Sequence, residues 1–108
     1  MAIDIKSFLA QLQDGIVDLA KSNFKKLSKQ ATADGKQLLA TLKDDLGRWT
    51  RLLAEGQITK QEFETLLIGQ KDLIEMNALK QAGLTLVKID EFKSGIFDLI
   101  IDSVTKLV

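Results

Sequence analysis

The 108-residue chain contains no cysteine, histidine, proline or tyrosine. Without cysteine there is no disulfide frame, no thiolate metal site and no thiol nucleophile. Without histidine the chain lacks the side chain that titrates near neutrality, which is also the commonest metal ligand. Without proline nothing forces a helix to stop or kink. An excess of either charge is missing too, because fifteen basic and fifteen acidic residues cancel. A net charge of zero provides no global field toward nucleic acid or an anionic bilayer, and little repulsion between copies. No stretch approaches the roughly 20 apolar residues of a membrane-spanning helix. The opening MAIDIKSFLAQLQDG carries Asp4 and no sustained apolar run, so no secretory signal is expected. The expected location is the cytoplasm.

What is present is apolar periodicity. The apolar fraction of 45% suits a globular chain, and the length suits one helical domain over residues 1–108. Ile5, Phe8, Leu9, Leu12, Ile16, Leu19, Ala20, Phe24 and Leu27 follow in steps of three and four, the spacing of one helix face. Asp14 and Asp18 fall on the opposite side. The period resumes at Leu38 and runs to Leu53. Between the two lies SKQATADGKQ (Ser28 to Gln37), with the turn dipeptide Asp34-Gly35. This stretch reads as a loop or as a thin waist in a continuous helix.

The clearest boundary is central, at AEGQITKQEFETLL (Ala54 to Leu67). Gly56 suits a left-handed helix cap. Thr59 followed by Glu62 reads as a capping box, with Ile58 and Phe63 as its hydrophobic staple. Beyond it the period continues to Leu107, with a soft point expected near Ala82–Leu86 in a long helix. A strand over Leu84–Ile89 is the weaker reading.

One phrase occurs twice: Gly-Ile-Val-Asp-Leu at Gly15–Leu19 and Gly-Ile-Phe-Asp-Leu at Gly95–Leu99. Gly15 lies 41 residues before Gly56 and Gly95 lies 39 after it. Folding at Gly56 brings the two phrases side by side, where glycines let backbones approach. Ala31, Ala33 and Gly35 would then face Ala78, Ala82 and Gly83. Two helices of about 50 residues would each measure about 75 Å. Yet the C-terminal apolar stripe of Ile96, Phe97, Leu99, Ile100, Ile101, Val104, Leu107 and Val108 covers roughly 200° of a helical wheel. So broad a stripe needs more than one neighbour. The expected fold is all-α: an antiparallel long-helix hairpin or a three- or four-helix bundle, turning at Gly56–Thr59.

Few residues suggest chemistry. Asp14/Asp18 and Asp98/Asp102 are carboxylate pairs four residues apart, but a calcium site needs six or more oxygens and a loop to wrap the ion. They read as solvated faces. Lys21, Lys25 and Lys29, with Lys26 and Lys36 nearby, form a basic stripe. No aromatic platform or recognised motif accompanies it, so nucleic-acid binding is not expected. Arg48-Trp49-Thr50-Arg51 joins both arginines to the only tryptophan, a hot-spot composition. Trp49 also fits the apolar stripe of its helix as a core residue. The leading expectation is a non-enzymatic interaction module that self-associates, or binds another helical protein. Its candidate interface is Ile96, Phe97, Ile100, Ile101 and Val104, with Trp49, Arg48 and Arg51. No cofactor, metal or small-molecule substrate is expected. The alternative is a membrane-active protein that opens at Gly56 or Gly83, although Asp98 and Asp102 outnumber Lys106 on the polar side of its last helix.

Overall fold

Asp4 starts the first helix by accepting a 3.1 Å hydrogen bond from the Ser7 amide, which satisfies an otherwise unpaired donor of the first turn. The computed structural model describes residues 4–107, and five helices follow in order. They are α1 (Ile5–Asn23), α2 (Ser28–Ala54), α3 (Lys60–Lys71), α4 (Asn77–Gln81) and α5 (Leu86–Leu107). Among the described residues there is no strand, so Leu84–Ile89 is not one. Residues 4–107 measure 43 × 24 × 18 Å. A 75 Å hairpin does not fit that envelope, and the fold-back bundle is the architecture realised.

The turn at Gly56–Thr59 is where local chemistry put it. Gly56 has φ +74°, a left-handed conformation that costs glycine nothing. The Thr59 side chain accepts from the Glu62 amide at 3.1 Å, and the Glu62 carboxylate accepts from the Thr59 amide at 2.9 Å. Ile58 packs on the core and Phe63 is buried. Removing the hydroxyl by Thr59→Ala should cost about 1 kcal/mol. The measurement is the urea midpoint, which should fall with no change of slope; an unmoved midpoint would mean that the Ile58 and Phe63 packing alone holds the turn.

The first boundary lies elsewhere than expected. The chain leaves α1 at Phe24, whose backbone is extended (φ −132°, ψ 113°), and re-enters helix at Ser28. Phe24 thereby places its ring edge-on to Phe92, with centroids 5.1 Å apart, a favoured aromatic geometry. Asp34 and Gly35, expected in a loop or waist, sit inside a continuous 27-residue α2. The long helix expected beyond Phe63 is likewise broken twice, at Asp72–Met76 and at Ala82–Thr85. Gly83 takes φ +90° in the second gap, and Thr85 accepts from the Lys88 amide at 3.3 Å to start α5. In the first gap, the Lys93 ammonium donates to the Ile74 carbonyl at 2.8 Å.

The repeated phrases do meet. A Cβ built on Gly15 would lie 3.1 Å from Leu99, and one on Gly95 would lie 3.4 Å from Leu19. Each glycine thus receives the leucine of the other phrase, which makes α1 and α5 antiparallel. The isoleucines of the two phrases, Ile16 and Ile96, are both fully buried. Both reach Gly35 on α2: a Cβ there would lie 2.4 Å from the Ile16 Cγ2 and 3.7 Å from the Ile96 Cδ1. So α2 crosses the phrase pair at a residue without a side chain. On the far side, α3 packs across α2 and α5 through Phe63 and Leu67.

Asp34, beside that glycine, faces α4. Its carboxylate accepts from the Ala78 amide at 3.0 Å and the Leu79 amide at 2.8 Å. The residue before α4, Met76, makes no side-chain cap, so a buried aspartate 44 residues away caps this helix instead. Ala31 is buried, whereas Ala33 and Ala82 are exposed. The expected meeting of α2 with the Ala78 segment therefore runs through Asp34 rather than through a row of small residues.

Candidate interaction surfaces

The apolar residues expected to face a partner are occupied within the chain. Ile96, Phe97, Ile100 and Val104 are buried in its own core, and Ile101 is half-buried against it. The reason is the breadth of their stripe: α1 covers one flank and α3 the other. Trp49 is also a core residue. Its neighbours Arg48 and Arg51 are exposed, and Arg48 pairs with Asp45 on the same helix. Within one chain, the expected interface residues are thus core side chains, with two surface arginines beside them. Asp14, Asp18, Asp98 and Asp102 are all exposed, and Asp102 pairs with Lys106 at 3.1 Å. No group of three or more potential ligands that could hold a metal ion occurs among the described residues. No helix there is long and apolar enough to cross a membrane.

The large apolar side chains left in solvent are different ones, with Leu66 at 40% and Leu107 at 37% the least exposed of them. Leu73 is 74% exposed, Leu86 71%, Val87 69% and Ile68 54%. The Lys71 ammonium lies 3.7 Å from the Asp90 carboxylate, joining the end of α3 to the start of α5. Ile68 precedes Lys71 by three residues, and Val87 and Leu86 precede Asp90 by three and four. On a helix those spacings make surface neighbours. Leu73 lies just beyond Lys71, in the turn that Lys93 ties to α5. Ile68 and Leu73 thus stand near Lys71 in the chain, and Leu86 and Val87 near Asp90, at either end of an ion pair whose lysine is half-buried and whose aspartate is exposed. An ion pair this open contributes at most about 1 kcal/mol to stability, while exposed apolar groups clustered beside it are unusual enough to mark a contact surface. Periodicity hides part of this group, since Leu73 and Leu86 fit the apolar period as well as any core position does.

A comparison with protein-family models, with curated proteins and with solved structures finds no match for this chain. Any function is therefore argued from these surfaces.

Proposed function

We propose that the chain is a non-enzymatic helical interaction module that self-associates through Ile68, Leu73, Leu86 and Val87. The observation that carries this reading is the exposure of those four side chains around the Lys71–Asp90 pair. A second copy suits the surface because it is self-complementary. A two-fold axis near the pair sets Lys71 of one copy toward Asp90 of the other while the apolar groups close around them. The zero net charge removes the general repulsion that would oppose such a pairing.

The test is the absolute mass in solution by size-exclusion chromatography with light scattering. The expected result is twice the 12.0 kDa of one chain, reverting to one chain in the double variant Leu73→Lys, Val87→Lys. Because both positions are exposed, the variant should keep its helical circular dichroism and lose about thirtyfold or more in association constant. A mass of one chain for the unaltered protein up to millimolar concentration would refute self-association. An assembly untouched by the double variant would refute this surface.

A further inference from the structure

The zero net charge conceals a segregation. Lys21 closes α1, Lys25 and Lys26 stand in the connector, and Lys29 opens α2. From Lys29 the helix continues with Lys36 and Lys43 at seven-residue steps, so these three share one side of α2. They span about 21 Å. All six lysines are exposed, and none stands in an ion pair among the described residues. Lys36 and Lys43 rim a shallow cleft of about 350 Å³ between α1 and α2, whose floor includes Leu9, Ala10, Leu39 and Ala40. Asp14 and Asp18 on the outer side of α1, and the exposed Asp44 beside Lys43 on α2, are acidic residues bordering this face. The Asp34 carboxylate points away, into its bonds with α4.

We propose that the α1–α2 face docks on an anionic lipid surface, with the lysines on the headgroups and the alanine floor against the bilayer interface. Three features favour lipid over nucleic acid. The cations are all lysines, whereas arginine is the side chain suited to bidentate phosphate and base recognition; both arginines lie outside this set, at Arg48 and Arg51. The lysines of α2 stand about 10 Å apart, a spacing that a fluid bilayer meets by lateral diffusion of its lipids and that a strand with fixed phosphates does not. Exposed Ala10 and Ala40, with half-buried Leu9, lie beside the lysine row of α2, an apolar strip next to a basic one as in interfacial helices. This surface is separate from the one proposed for self-association, and its mode differs from insertion, since no helix need open.

The experiment is co-sedimentation with vesicles of phosphatidylcholine alone and of phosphatidylcholine mixed with phosphatidylserine. Binding is expected to the mixed vesicles only, and to be lost near 1 M salt, where charges are screened within about 3 Å. The triple variant Lys29→Gln, Lys36→Gln, Lys43→Gln should bind roughly a hundredfold more weakly, at about 1 kcal/mol per lysine. A control triple, Arg51→Gln, Lys60→Gln, Lys80→Gln, removes equal charge elsewhere and should bind within about threefold of the unaltered protein. No binding to the mixed vesicles, equal binding to neutral ones, or equal losses in the two triples would each overturn the proposal. So would binding of a nucleic-acid duplex at a salt concentration where the vesicles are not bound.

Discussion

Replacing Asp34 by alanine is expected to destabilise the protein by about 3 kcal/mol, lowering the thermal midpoint by roughly 15 °C. The figure follows from the two amides it serves. Hydrogen bonds to a charged group contribute about 1.5–3 kcal/mol each, and a donor stranded in the interior forfeits its hydration as well. Leu79, whose amide lies 2.8 Å from the Asp34 carboxylate, is fully buried, so water cannot replace the lost acceptor there. A five-residue α4 also has too few internal hydrogen bonds to persist without help. The loss should appear first as fast hydrogen exchange at the Leu79 and Lys80 amides. Asp34→Asn retains one acceptor oxygen and should fall between the two. A loss below about 1 kcal/mol for the alanine variant would mean that α4 is held by its apolar packing and not by its cap.

The neighbouring position gives the second large effect, and its sign separates it from helix propensity. Gly→Ala inside a helix ordinarily gains about 1 kcal/mol. At Gly35 the new Cβ would lie 2.4 Å from the Ile16 Cγ2. That methyl sits on the branch carbon of a fully buried isoleucine within α1, where β-branched side chains are held to one rotamer. The methyl has nowhere to swing, so α1 and α2 must separate. Gly35→Ala is therefore expected to destabilise by about 2 kcal/mol. Gly69→Ala in α3, where nothing lies within 4 Å, should stabilise by about 0.5–1 kcal/mol. Adding Ile16→Ala to Gly35→Ala should recover about 1–2 kcal/mol of the clash in a double-mutant cycle. Two glycine variants of the same sign, or a cycle with no coupling, would remove Gly35 from the helix crossing.

The sequence was legible where the cause was local. Gly56, Thr59 and Glu62 act within a few residues of one another, so the central turn could be read directly. The meeting of the Gly15 and Gly95 phrases was legible too, although the chain reaches it through a fold-back bundle and not through the long hairpin about Gly56. Asp34-Gly35 read two ways, as a loop or as a thin waist in a continuous helix, and α2 realises the second there; the sequence could not choose because the partners are distant, Ile16 before it and Ile96 and α4 after it. The break at Phe24 carries no glycine or proline to announce it, being drawn out by a ring 68 residues away in sequence at Phe92. The burial of Ile96, Phe97, Ile100 and Val104 within one chain was not legible for the same reason. A stripe too broad for one neighbour fits self-association and self-covering equally well, and only the three-dimensional path of α1 and α3 decides between them.

The exchange of leucines between the Gly15 and Gly95 phrases also sets a timetable for synthesis. The α1–α2 pair can close as soon as its own connector has left the ribosome, seating Ile16 over Gly35. The flank of α1 that carries Gly15 and Leu19 has to wait for Leu99, some 80 residues further on. At about 5–20 residues per second that is on the order of ten seconds with an apolar face uncovered. Any stall in the last fifth of translation therefore leaves that flank of α1 half-clothed.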